Sequence, residues 1–146
     1  MRVISSGEER TLELGAKLSH VIPKGTVVAL HGDLGAGKTV LSRGFARGLG
    51  ITEAVTSPTF TVVQEYAIPT GGWFYHLDMY RITDEASALA FGIDEYLFNP
   101  QAITLVEWPE RIEKLLDTPH TIHITLSHEG EETRALKLPD ELAAKL

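Results

Sequence analysis

The segment Gly32-Asp33-Leu34-Gly35-Ala36-Gly37-Lys38-Thr39 constrains this chain more than any other feature. It satisfies G-x-x-x-x-G-K-[ST] at every fixed position, which a random chain of this length does about once in 200 trials. Its flanks fit as well. Val27 to Leu30 is a short apolar, β-branched run that reads as a buried strand. Leu41, Phe45 and Leu49 then fall at i, i+4 and i+8, which predicts an amphipathic helix starting near Lys38, with Gly50 as its C′ residue. Glycines let the backbone turn tightly enough for the N–H groups of Leu34, Gly35, Ala36, Gly37, Lys38 and Thr39 to point into one concavity. The helix N-terminus adds partial positive charge. Lys38 is then placed to reach the β- and γ-phosphates of a nucleotide, and the Thr39 hydroxyl to meet Mg²⁺. A dinucleotide-binding reading fails, because the third glycine position after Gly35-Ala36-Gly37 is Val40.

The rest of the chain supplies strands and helices around this loop. Ser6-Gly7-Glu8-Glu9 has the form of a capping box, with Ser6 as N-cap. Leu14, Leu18, Val21 and Ile22 continue it as a helix that Pro23-Lys24-Gly25 stops. Thr61 to Ala67 and Trp73 to Asp78 are strand-like and flank the turn Pro69-Thr70-Gly71-Gly72, so a hairpin is expected. A helix starts at Thr83-Asp84-Glu85 and runs towards Phe91. Ile103 to Val106 is a buried strand ending at Glu107, and Arg111 to Leu116 a short helical piece. Ile122, Ile124 and Leu126 alternate with polar residues, as in a half-exposed strand, and Thr133 to Leu138 is a last strand. The tail from Pro139 has room for one helical turn. The order α-β-α-β-β-α-β-β-β predicts one α/β domain over residues 1–146: a three-layer sandwich with a sheet parallel at its centre and antiparallel additions.

Composition narrows the function. With 146 residues, 43% apolar, the chain is long enough to bury a proper core. No cysteine is present, so disulfide scaffolds and thiolate zinc sites are excluded. A net charge of −7 argues against non-specific binding to nucleic acid or to an anionic membrane, though not against an RNA presented by a partner. No stretch approaches the ~18 apolar residues of a membrane span, and a soluble cytoplasmic protein is expected.

Among nucleotide users, a GTPase would show Asp-x-x-Gly and Asn-Lys-x-Asp. Neither occurs, which leaves ATP as the expected nucleotide. Such a site needs a carboxylate at the end of a neighbouring strand, for Mg²⁺ or its water shell. Asp78 and Glu107 each close an apolar strand, and spacing does not divide the two roles between them. Thr56-Ser57-Pro58-Thr59 reads equally as a plain connection or as a switch loop in which Thr59 senses the γ-phosphate or metal. His31 and His76 flank the site but read first as packing residues. No obvious arginine finger sits near the loop, so hydrolysis by these parts alone should be slow unless a partner or a loop closure supplies one.

Four segments taken together carry a resemblance: Gly32 to Thr39, Ser57-Pro58-Thr59-Phe60, His76-Leu77-Asp78-Met79-Tyr80-Arg81, and Val106-Glu107-Trp108-Pro109-Glu110. In this order and spacing they resemble the TsaE (YjeE) family of small bacterial ATPases, from about Glu8 to the Trp108 region. The resemblance implies a part in making the threonylcarbamoyl group on adenosine 37 of tRNAs that read ANN codons. There the protein joins the TsaD–TsaB pair, and its ATP hydrolysis supports that assembly's turnover. It further implies Lys38 and Thr39 as phosphate and Mg²⁺ residues, Glu107 as a metal-proximal acid and Asp78 as a catalytic or water-holding acid. Trp108 is the family's aromatic beside the acid, and the resemblance implies a nucleotide base near the N-terminal segment, which makes Glu8 and Thr11 candidates there. Met79 stands where leucine is common, a volume-conserving change. Nothing after Leu116 matches a family motif. Two rival readings are a nucleotide-dependent scaffold that does not require hydrolysis and a small-molecule kinase.

Overall fold

A computed structural model describes residues 1–33, 35–55 and 62–146. Leu34, Thr59 and the rest of the candidate switch segment, Ser57 to Phe60, lie outside the described residues. The elements in chain order are β1 (Arg2–Ser5), α1 (Glu8–Val21), β2 (Val27–His31), α2 (Lys38–Gly48), β3 (Val63–Ala67), β4 (Trp73–Asp78), α3 (Glu85–Ala90) and α4 (Ile93–Leu97). They continue with β5 (Ala102–Glu107), a 3₁₀ segment (Pro109–Leu116), β6 (Thr121–His128), β7 (Arg134–Lys137) and α5 (Asp140–Ala143).

The described strands form one sheet in the order β1-β7-β6-β2-β5-β4-β3. Its centre is parallel: β2 pairs with β5 and β6, and β5 with β4. β3, β7 and β1 are added antiparallel, β3 through the expected hairpin with β4. The central strands read as unbroken apolar runs because helices cover both of their faces. On one face Val28, Leu30, Phe74 and Leu105 pack beneath Leu14 and Leu18 of α1 and Leu41 and Phe45 of α2. On the other, Val27, Ala29, Leu77 and Val106 pack beneath Ala88, Ile93, Leu97, Ile112 and Leu116. This second helical layer stops short of β6, whose outward residues His123, Thr125 and Ser127 are exposed.

The two helices on the first face touch backbone to backbone. A Cβ on Gly15 would lie 2.5 Å from the Leu41 carbonyl oxygen, and one on Gly44 would run into the Leu12 backbone. Only glycines permit this approach, and it sets the start of α1 beside the start of α2.

Several local expectations are corrected. Ser6 is not the cap of α1: the helix begins at Glu8 with Gly7 as N-cap, and no side chain caps it. The Gly7 carbonyl instead accepts from the Thr11 N–H, the Thr11 hydroxyl and the Ser5 hydroxyl. β1 was not foreseen, because its partner strand β7 lies at the far end of the chain and leaves no local signal. The same holds for α4, only five residues long. The Arg111–Leu116 piece is a 3₁₀ segment kinked at Ile112, starting at Pro109. Asp84 does cap α3, accepting from the Ser87 N–H at 2.8 Å.

Candidate functional site

Sheet register gathers the site. In β4 and β5, Asp78 lies opposite Glu107, and in β2 Leu30 lies opposite Glu107. The carboxyl ends of three parallel strands therefore open on one edge, where α/β sheets bind ligands. In-register neighbours share a face, so Asp78 and Glu107 project on the side covered by α2, together with His76 two residues upstream. Glu107 adjoins the loop strand directly, whereas Asp78 is one strand further out.

The loop is built as its glycines demand. Gly35 and Gly37 sit at φ 80° and 101°, in the left-handed region that side chains rarely adopt. Gly37 is the N-cap of α2, so the helix opens on the loop with no side-chain cap. Lys38 is 6% exposed, and its Nζ donates to the Gly32 carbonyl oxygen at 2.7 Å. The same Nζ lies 4.2 Å from the centre of the Trp108 ring, a cation–π contact. Trp108 holds a left-handed backbone at φ 56°, the one non-glycine positive φ among the described residues. For a bulky residue this is an outlier of the kind that clusters at functional sites. It turns the chain sharply after Glu107 and lays the indole over Lys38 and against Tyr80, ring centres 5.0 Å apart. The Thr39 hydroxyl makes no hydrogen bond among the described residues.

The acids differ in surroundings. Glu107 is buried, and its Oε2 accepts from His76 Nε2 at 2.6 Å. Asp78 is half-buried and accepts from the Tyr80 N–H at 2.9 Å. Burial pushes the Asp78 carboxyl up, against the lowering effect of the Tyr80 hydrogen bond, and the Glu107 charge adds to the rise. Two carboxylates side by side with Lys38 across from them suit a site that takes up a cation and a polyanion together.

Glu8 and Thr11 come to the other side of the loop. With Gly37, Val40, Glu132 and Arg134 they line a cavity of about 170 Å³ at the start of α1 and α2. Arg134, which sequence reading missed, reaches the loop from β7: its Nε donates to the Ala36 carbonyl oxygen at 3.1 Å. The signal was absent because 98 residues separate the two and only the sheet order joins them. His76, expected as a packing residue, also holds Glu107. His31, at the end of β2, meets His123 of β6 at 3.0 Å between ring nitrogens. Thus Lys38, Asp78, Glu107 and Trp108 form one group and Glu8, Thr11 and Arg134 a second, with the loop between them.

These features define a mixed α/β protein with a glycine loop and two acids at the carboxyl edge of its parallel strands. A family model described as "Threonylcarbamoyl adenosine biosynthesis protein TsaE" matches residues 5–136. The chain is 45% identical over 125 residues to the tRNA threonylcarbamoyladenosine biosynthesis protein TsaE of Bacillus subtilis, covering 83% of this chain and 74% of that one. It is 37% identical over 135 residues to that of a Nostoc species, covering 88% and 80%. A crystal structure of Bacillus subtilis YdiB superposes with a TM-score of 0.79 at 31% identity, covering 99% of this chain and 90% of that one. The chain belongs to the TsaE family, which places it in tRNA threonylcarbamoyladenosine biosynthesis.

Proposed function

We propose that this chain is a Mg²⁺-dependent ATPase that supports the TsaD–TsaB complex in forming the threonylcarbamoyl group on adenosine 37 of tRNAs reading ANN codons. The observation that carries this is the convergence of the glycine loop and Lys38 with Asp78 and Glu107 at one edge of the sheet. Loop N–H groups grip the triphosphate, and Lys38 leaves the Gly32 carbonyl for the β- and γ-phosphates. Glu8, Thr11 and Arg134 form the rim for the base. The Thr39 hydroxyl and Glu107 carboxylate are hard oxygen donors suited to Mg²⁺. No group of three His, Cys, Asp or Glu able to hold a metal exists among the described residues. One carboxylate and one hydroxyl suit an ion whose remaining positions go to water and the nucleotide's own phosphate oxygens. Bound there, Mg²⁺ would neutralise charge on the transferring phosphoryl group. Asp78, whose carboxyl holds its proton more readily than usual, orients the attacking water.

With a net charge of −7, the chain leaves tRNA binding to TsaD–TsaB and reports nucleotide state to them. No helix among the described residues is long and apolar enough to cross a membrane, and the reaction partners place the work in the cytoplasm. The test is a modification assay with purified partners and tRNA, supplied with ATP or with a non-hydrolysable analogue. Repeated turnover with ATP and none with the analogue is expected. Equal turnover with both would leave a nucleotide-dependent scaffold instead, and phosphate transfer to a small acceptor would indicate a kinase.

A further inference from the structure

The apolar run of β4 is interrupted once, by His76, which is fully buried. Its Nε2 lies 2.6 Å from Glu107 Oε2, and its Nδ1 is, among the described residues, the buried side-chain nitrogen or oxygen left without a hydrogen-bond partner. Packing alone does not call for this arrangement. A leucine or phenylalanine would fill the place beside Phe74 and Leu105 without an orphaned polar atom. The imidazole makes sense as a device for Glu107. With the proton on Nε2 it donates to the carboxylate, and Nδ1 is left as a bare acceptor rather than a stranded N–H. The Glu107 carboxylate has no other hydrogen bond among the described residues, so one oxygen is fixed from behind and the other is left for a ligand.

The geometry points to His76 as a positioning residue that orients Glu107 towards the Mg²⁺ carried by the bound nucleotide. This rests on the reading of Glu107 as the acid beside that ion. The hydrogen bond selects one rotamer of the carboxylate before the ion arrives. Partners that hold a metal ligand from behind are worth roughly 10–100-fold in metal affinity.

The test measures binding rather than turnover. ADP is titrated into wild type, His76→Leu, His76→Asn and His76→Gln, in EDTA and across a series of Mg²⁺ concentrations. The glutamine amide is long enough to reach Glu107, whereas the asparagine amide is one methylene shorter. Expected is a rise of about tenfold or more in the half-saturating Mg²⁺ concentration for the leucine and asparagine variants, with ADP affinity in EDTA unchanged and substantial recovery in the glutamine variant. If the leucine variant does not fold, the difference between glutamine and asparagine decides. A wild-type Mg²⁺ dependence in the asparagine variant, or equal losses in the glutamine and asparagine variants with ADP affinity in EDTA also reduced, would overturn the proposal. If wild-type binding itself gains nothing from Mg²⁺, the reading of Glu107 falls first and this inference with it.

Discussion

The two walls of the site are made by different means. One is a single stretch of chain, Gly32 to Thr39, whose proposed binding groups are backbone N–H groups and one lysine. The other is assembled from strand ends remote in sequence: His76 and Asp78 on β4, Glu107 on β5 and Trp108 just past it. The loop wall offers uncharged dipoles that follow from backbone conformation, and its one cationic side chain is already held by the Gly32 carbonyl and the Trp108 face. The acid wall places two carboxylates side by side at the edge of a core and holds a histidine with an unpaired ring nitrogen. Backbone dipoles come with the fold, whereas buried charges are held against it. The first wall should therefore tolerate change in stability terms and fail in binding, while the second should fail in chemistry and, at the half-buried Asp78, gain stability when neutralised.

The largest effect should come from breaking the loop wall. Lys38→Ala should weaken ATP binding by more than 100-fold while the unliganded protein keeps its fold. Wild type at 100 times its Kd gains about 2.7 kcal/mol from ligand, so thermal unfolding with and without Mg-ATP reads the loss directly. An equal thermal shift in the variant would remove the loop from the site. The acid wall is tested by Asp78→Asn, which should cut hydrolysis by roughly 10²–10³-fold and leave ATP binding nearly intact.

That same variant should unfold at a higher temperature than wild type at neutral pH. The folded state raises the Asp78 value above the ordinary 3.8, so it holds the proton longer than the unfolded chain does. Wild-type stability therefore falls as pH rises from about 3.8 through the folded-state value. The whole cost is present at pH 7, and the advantage of the asparagine variant should vanish below both values. A lower melting temperature at pH 7 would show instead that the Asp78 charge supports the fold.

The support of the loop wall is next in size. Gly44→Ala drives a methyl into the Leu12 backbone and should cost about 1–3 kcal/mol, read by denaturant unfolding. Unchanged stability would mean that the α1–α2 seam gives way freely. The smallest effect lies at the root of the loop. Burial, and after it the neighbouring His123, pull the His31 imidazole below its usual 6.5, against the opposing charges of Glu110 and Glu113 and with the help of Lys38. The folded state thus binds fewer protons than the unfolded one just below pH 6.5, and stability is lost as pH falls through that window. His31→Gln should flatten this part of the stability profile, and an unaltered slope would assign it to other groups.

How much of this was legible in the sequence follows from the same contrast. The loop, the strand before it and the helix after it were readable because pattern, glycine chemistry and periodicity act over a few residues. The apolar run Trp73 to Asp78 is likewise legible as β4, and Asp78 and Glu107 as acids closing apolar strands. Beginnings decided by backbone alone were not readable: α1 takes Gly7 rather than Ser6 as its cap, and β1 exists only because β7 is there to pair with it. The candidate switch residue Thr59 lies outside the described residues.

The sequence by itself determined an α/β protein carrying a glycine loop, two acids of undivided role and a resemblance to the TsaE family. Those are properties of short segments, whose chemistry travels with them. Tertiary structure decided which acid adjoins the loop strand, because only the order β2-β5-β4 puts Glu107 beside it and Asp78 beyond. It also brought Arg134 to Ala36, set Trp108 over Lys38 and closed His76 onto Glu107. Each of these contacts joins residues tens of positions apart, and what selects them is the register of strands and the burial of a shared core, which no local pattern encodes.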